Sequence, residues 1–309
     1  LYEIERTLRP SAEQAGIALV ATLGSVIDRP SVDAVIETEK VDIILHAAAY
    51  KHVPLVESNE LEGVRNNVLG TRTVAEAARD ARIERFILVS TDKAVRPTNI
   101  MGATKRLAEL IVQDIQRRGA VTRFSMVRFG NVLGSSGSVV PLFQQQIRRG
   151  GPVTVTHANV TRYFMTIPEA ARLVLLAGAY SEGGDLFVLD MGSPVKIVDL
   201  ARRMIGLANR TVRDEANPDG DIEIVFTGLR PGEKLFEELL IDDDSLVHTP
   251  HEKILRAQEA GLSEIEVARM IKQIDAALAS RDREAVRQII VRFVDGYSVA
   301  DATSADGTA

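Results

Sequence analysis

Two hydroxyls, a carboxylate and an ammonium stand in four consecutive positions, Ser90, Thr91, Asp92 and Lys93. Further on, Met101 and Lys105 are four apart, which places them on one face of a helix. Such groups carry acid–base chemistry when a fold gathers them in one crevice. Any one of them alone suits a capped turn with solvated charges equally well. The whole set suits that plain reading far less.

The elements around these residues supply the crevice. Phe86 to Val89 is a short apolar run of buried parallel-strand character, and it stops abruptly at Ser90. In open parallel sheets, reacting groups collect at the carboxyl ends of strands. Pro97 breaks the chain, and Thr98 or Asn99 can cap the helix that follows.

The same rhythm runs through the first half of the chain. Residues 1–9 read as the end of an amphipathic helix with Leu1, Ile4 and Leu8 on one face. Ile17–Leu23 reads as a strand, Ser31–Glu39 as a helix, and Val41–Leu45 as a strand ending in His46-Ala47-Ala48-Ala49. Residues 60–82 read as a long helix with Val64, Val68, Thr71, Val74 and Ala78 inward, and Arg123–Phe129 as the next strand. A glycine-rich loop, 130–137, opens a helix over Val139–Arg149. Strands alternating with helices predict βαβ units: a Rossmann-like, doubly wound parallel sheet of the α/β class.

After Gly150-Gly151-Pro152 the rhythm loosens into a smaller, mixed α/β lobe. Its expected strands are Val153–Thr156 and Leu186–Leu189; its expected helices are Pro168–Tyr180, Ile197–Leu207 and Glu233–Leu240. The expected division is therefore a core over 1–150, a substrate-binding lobe with elements returning to the core over 151–260, one or two polar helices over 261–295, and a disordered tail over 296–309.

Composition narrows the function. The 309 residues are 45% hydrophobic, enough for a sizeable core. The net charge of −6 argues against a nucleic-acid surface. Without cysteine there is no disulfide, thiolate nucleophile or Cys-ligated zinc, and the five histidines lack metal-ligand spacing, so no metal is expected. No apolar run approaches the roughly 20 residues of a membrane-spanning helix, and a cytoplasmic domain fits.

The segment STDKAVRPTNIMGATKR, residues 90–106, resembles the active-site stretch of the UDP-N-acetylglucosamine 4,6-dehydratases of polysaccharide biosynthesis, a CapD-like branch of the extended short-chain dehydrogenase/reductases. Most of that superfamily has Tyr-x-x-x-Lys on the helix. Here the pattern is Met101-Gly-Ala-Thr-Lys105, similar to the large, usually membrane-tethered members of the branch. The resemblance runs to about residue 245. A full-length protein would then sit at the cytoplasmic face of a membrane.

The resemblance implies a fold, a cofactor and a substrate. NAD would be bound and recycled, and UDP-N-acetylglucosamine would lose water to become a UDP-4-keto-6-deoxy sugar, with retention at C5. Thr91, with Asp92 behind it, would take the C4 hydroxyl proton in the absence of a tyrosine at Met101. Asp92, its pKa raised by burial, would protonate the departing C6 hydroxyl. Lys93, its pKa lowered or a carboxylate close by, would take the C5 proton. Lys105 would hold the nicotinamide ribose. Ser25, Val26, Ala47, Ala48, Ala49, Asn67, Ser90, Phe129 and Gly130 would border the cofactor. Lys51, His52, Asn131, Val140, Pro141, Arg162, Arg230 and Glu233 would meet the sugar nucleotide.

Several of these residues have plainer readings. Ala47–Ala49 suit tight helix–sheet packing, His52 a surface position, and one of Asn66 and Asn67 a structural hydrogen bond to a strand carbonyl. Arg162 and Arg230 suit surface ion pairs when each is taken alone. Ser25 follows Gly24 where the family commonly has Asp.

No G-x-G-x-x-G turn follows a strand near the start, so one βαβ unit upstream of Leu1 is expected to be absent from this stretch, with weak cofactor binding as its consequence. The rivals are a UDP-sugar 4-epimerase of the same fold and a UDP-sugar-binding module that has lost its cofactor. Extended members often pair through two helices, so a homodimer through helices 60–82 and 99–118 is expected.

Overall fold

A computed structural model of the chain describes residues 1–135, 137–238 and 246–298. Its centre is a six-stranded sheet in the order 43–46, 85–89, 123–128, 185–189, 254–257, 246–248. The first four strands run parallel, and strand 254–257 is antiparallel to its neighbours on both sides. Leu88 stands beside Met126, and Val127 beside Phe187. Phe86, Leu88, Phe124, Met126 and Phe187 are fully buried, as strands covered on both faces require. The Rossmann-like doubly wound architecture is thus as expected.

The helix Ile100–Arg117 lies against this sheet. Sixteen of its eighteen residues are buried. The helices Glu264–Ala279 and Arg283–Phe293 cover its outer side, with Met270, Ile274, Leu278, Ile290 and Phe293 in the same core as Leu107 and Ile111. This takes helix 100–117 out of the expected pairing surface, because its own chain covers it. Helix 60–82 is three segments: α-helices Glu60–Val64 and Thr71–Asp80 flank a π-helical stretch, Arg65–Gly70. Val64, Val68, Thr71, Val74 and Ala78 all point inward, as expected.

The smaller lobe is built on a three-stranded parallel sheet, 212–213, 222–226 and 153–155. The helices Val139–Arg148 and Ile197–Leu207 pack on it through Phe143, Ile147, Ile197, Ala201 and Ile205. The helix 139–148, grouped by its sequence position with the core, therefore shares the lobe's interior. Strands 185–189 and 254–257 return to the main sheet.

Three expected elements differ. Residues 17–23 form no strand: Ile17, Val20 and Leu23 are exposed, and no described strand lies beside them to take their backbone hydrogen bonds. Residues 233–238 form no helix, and the rest of the expected Glu233–Leu240 helix lies outside the described residues. At the tail, Tyr297 packs on the core and the Ser298 amide donates to the Pro97 carbonyl at 3.2 Å, while 299–309 lie outside the described residues. The opening helix, Tyr2–Ala15, is longer than expected and buries none of its residues. No helix among the described residues is long and apolar enough to cross a membrane.

Candidate active site

A cleft of about 580 Å³ opens at the carboxyl ends of strands 43–46, 85–89 and 123–128, between the sheet and the smaller lobe. The chain leaves strand 85–89 at Ser90 and makes a single 3₁₀ turn over Asp92–Ala94. The Asp92 amide donates to the Phe129 carbonyl at 3.1 Å, so the turn is anchored to the neighbouring strand end. Asn99 caps the helix beyond, accepting from the Gly102 amide at 2.8 Å. A Cβ on Gly102 would lie 2.1 Å from the Lys93 carbonyl oxygen. Only glycine lets the helix approach the reactive turn this closely.

Thr91 Oγ1 donates to Asp92 Oδ1 at 2.9 Å, and Lys93 Nζ donates to the same oxygen at 3.1 Å. Asp92 is 1% exposed, and its Oδ2 has no hydrogen-bond partner among the described residues. A Cβ on Gly130 would stand 3.3 Å from this oxygen. A buried, unpaired carboxylate oxygen is costly, and a ligand hydroxyl would relieve that cost.

Lys93 Nζ also donates to Asn131 Oδ1 at 3.3 Å and pairs with Glu237 Oε1 at 3.3 Å. Burial disfavours its charge, but Asp92 and Glu237 outweigh that, and its pKa is raised above the ordinary lysine value. The close carboxylate expected from the sequence is present; the lowered pKa is not. Lys93 rests as an ammonium.

Across the cleft, Met101 and Lys105 both face the opening from helix 100–117. Lys105 Nζ donates to the Val89 carbonyl at 2.7 Å, which aims it at the strand end. Burial depresses its pKa to about 8, against the pull of Glu109. The ammonium is therefore present below about pH 8 and lost above it. Activity that needs this charge should decline above about pH 8, and Lys105→Arg, whose guanidinium stays protonated, should remove that alkaline limb from a pH–rate profile. A limb unmoved in that variant would belong to another group.

Ser90 lines the cleft, but its hydroxyl is committed to Glu109 at 2.6 Å. Behind it Glu109 pairs with Arg128 at 2.6 Å, and Arg106 and Glu259 complete a buried cluster of two carboxylates and two guanidiniums. Arg128 holds the Glu109 carboxyl down to about 2 despite its burial.

Residues of the smaller lobe close the far side. Arg162 is bonded to Glu233 at 3.1 Å and stands 3.6 Å from Glu237, so its guanidinium is already engaged by carboxylates. Glu233 also accepts from Thr156 Oγ1 at 3.0 Å and from the Arg230 amide at 3.2 Å. The segment bearing them docks on the turn before the helix: Thr98 and Asn99 both donate to the Gly232 carbonyl, and Lys234 to the Val95 carbonyl. On the near side Lys51 Nζ donates to Ser135 Oγ at 3.3 Å, and burial lowers its pKa. The His52 ring lies where a Cβ on Gly137 would intrude, at a backbone φ of +69° that itself favours glycine.

The cleft thus gathers Ala47, Ala49, Lys51, His52, Ser90, Thr91, Lys93, Met101, Lys105, Phe129, Gly130, Asn131, Val140, Arg162, Arg230 and Glu233. Other expected contacts lie off its wall. Pro141 and Ala48 are not on the lining, and Asp92 sits just behind it. Ser25 is exposed, and Val26 packs against Gly70. Asn67 is 1% exposed and spends its amide on both backbone groups of Tyr50 and on Thr104 Oγ1. It positions the 48–50 loop, whereas the structural bond expected from the sequence is to a strand carbonyl. His46 donates or accepts at Thr71 Oγ1, 3.0 Å away, and burial drives its pKa to about 3, so the ring is neutral.

Glu237 was not legible. It falls within the expected helix Glu233–Leu240, and nothing in the sequence singles it out, yet it is 8% exposed and faces the cleft.

The residues fit the nicotinamide half of NAD. Ala47 and Ala49 leave open space at a strand end, Gly130 is closely packed, a Cβ there standing 3.2 Å from the Tyr163 Cβ, and Lys105 offers donors to a ribose. No group of three or more His, Asp or Glu among the described residues could hold a metal ion.

A doubly wound sheet places Thr91, Asp92 and Lys93 at a strand end opposite Lys105 of the next helix. Residues 1–259 match the family model described as polysaccharide biosynthesis protein. The chain is 50% identical over 242 residues to the capsular polysaccharide biosynthesis protein CapD of Staphylococcus aureus, covering 78% of this chain and 39% of that protein. It thus spans about two fifths of that relative's length. Among solved structures, Pen from Bacillus thuringiensis is 30% identical with a TM-score of 0.72, over 88% of this chain and 85% of that one. DesIV, a dTDP-glucose 4,6-dehydratase from Streptomyces venezuelae with NAD and TYD bound, shares the fold at 21% identity and a TM-score of 0.60, over 70% and 69% of the two chains. The chain belongs to the polysaccharide biosynthesis protein family, a CapD-like branch of the extended short-chain dehydrogenase/reductases.

Proposed function

We propose that this cleft removes water from UDP-N-acetylglucosamine to give a UDP-4-keto-6-deoxy sugar. The observation that carries the reading is the buried Asp92 Oδ2, unpaired beside Gly130, in a carboxylate already joined to Thr91 and Lys93. It leaves one acceptor free to meet a sugar hydroxyl. When bound, NAD would supply temporary storage of the C4 hydride, which returns to C6.

The chain's own residues would move the protons. Thr91 takes the C4 hydroxyl proton while passing its own to Asp92. Asp92 gives that proton to the C6 hydroxyl, which leaves as water. Lys93 takes the C5 proton and returns it to C5 once C6 is reduced, so atoms balance as loss of one water. Because Lys93 rests as an ammonium, it must shed a proton before it can take one. Lys105 holds the nicotinamide ribose, and Arg162 and Arg230 take the diphosphate once Arg162 exchanges its carboxylate partners for it.

Lys93 beside Asp92 favours elimination over epimerisation, since only elimination needs a second acid–base pair for the C5 proton and the C6 hydroxyl. Mass spectrometry together with proton NMR of the sugar nucleotide after incubation with NAD separates the readings. Loss of one water supports the dehydratase. An unchanged mass with inversion at C4 would mean an epimerase, and bound but unaltered UDP-sugar a binding module.

A further inference from the structure

Glu237 has no role in that scheme, yet it is the carboxylate that reaches Lys93 from the other lobe. Its Oε1 lies 3.3 Å from Lys93 Nζ and 3.6 Å from Arg162 Nε, so one oxygen is shared between two cations. Its side chain is 5% exposed, and the segment carrying it is fixed by the Thr98, Asn99 and Lys234 bonds to 95–99 and 232. A carboxylate buried this deeply is held by its partners and not by solvent.

We propose that Glu237 is a positioning residue for Lys93: from the smaller lobe it fixes the direction of the Lys93 amine and sets how readily that amine gives up its proton. The inference deepens the dehydratase reading of the cleft and rests on it for its catalytic meaning. The charged groups facing Lys93 are Asp92 on its own turn and Glu237 and Arg162 on the smaller lobe, with Glu233 behind Arg162. Asp92 and Glu237 favour the ammonium and Arg162 opposes it. Removing Glu237 should therefore ease deprotonation of Lys93. Removing Arg162 leaves Glu237 to Lys93 alone and should hinder it.

Acetylation by acetic anhydride reads the neutral amine without any substrate. Lys93 is followed by peptide mass spectrometry across a pH series, with exposed Lys196 as internal standard. In Glu237→Gln the midpoint for Lys93 should fall by about one pH unit or more, a tenfold gain in neutral amine at fixed pH. In Arg162→Gln it should rise. A purely structural Glu237 would lower thermal stability in both variants and leave both midpoints where they are, and that result would overturn the proposal. Should Glu237→Gln fail to fold, the upward shift in Arg162→Gln carries the test alone. If the midpoints move as expected but no sugar nucleotide is dehydrated, the tether stands and the dehydratase reading falls. In a competent enzyme, the pH–rate limb belonging to Lys93 should move down in Glu237→Gln and be restored toward the native position in Glu237→Asp.

Discussion

Asp92→Asn is expected to lower turnover of the sugar nucleotide by roughly 10²–10⁴-fold with little change in its binding. The amide keeps the shape of the carboxylate and can still accept from Thr91 or Lys93, so the 3₁₀ turn and its bond to Phe129 should survive. What it loses is the capacity to receive the Thr91 proton and hand it to a leaving hydroxyl. The Asn variant also weakens the hold on the Lys93 ammonium, since Asp92 is the foremost of the groups that favour it. Steady-state kinetics on the folded variant check this. A KM that rises with kcat unchanged would place Asp92 in binding and remove it from the proton path.

The second large effect falls on stability. Glu109 and Arg128 are both 0% exposed, and each is the other's main counter-charge. Glu109→Gln would leave Arg128 with Glu259 as its one carboxylate partner among the described residues, although the amide oxygen could still accept from the Ser90 hydroxyl. Breaking one side of a buried pair costs about 3–5 kcal/mol, which for a chain of this size lowers the melting temperature by roughly 5–8 °C. The sign with pH follows from the depressed carboxyl. Its contribution is complete above the ordinary value of 4.5 and is lost as pH falls toward about 2, so the native protein should unfold over that window. Thermal melts between neutral and acid pH read both effects. A variant melting within a degree or two of the native chain would show the cluster contributes little net stability.

The strand-end group was readable because its physics is local. An apolar run that ends in Ser90-Thr91-Asp92-Lys93 must leave the sheet there, and a spacing of four must put Met101 and Lys105 on one side of the helix. Both statements survive any tertiary arrangement. The apolar pattern at 17–23 is equally strand-like, but a strand exists only when a neighbour takes its backbone groups, and the sequence does not say where neighbours lie. Ile43 and Leu45, about half exposed on the outermost strand, show the same open edge from the other side. Glu237 was hidden for a different reason. A helical period over 233–240 would spread its charges around a solvated face, whereas the observed extended segment turns one of two adjacent glutamates inward. Asn67 was legible as either a ligand contact or a clamp; only the position of Tyr50 decides for the clamp. Arg162 illustrates a further limit: its type foretold an anion, and in this structure that anion is a pair of glutamates of the same chain.

The most direct measurement is proton NMR of UDP-N-acetylglucosamine incubated in D₂O with the protein and NAD. The account predicts a new C6 methyl signal and deuterium at C5, because Lys93 exchanges its proton with solvent between taking and returning it. A product with inverted C4 and an intact C6 hydroxymethyl, or exchange of no carbon-bound proton at all while the UDP-sugar is bound, would contradict it.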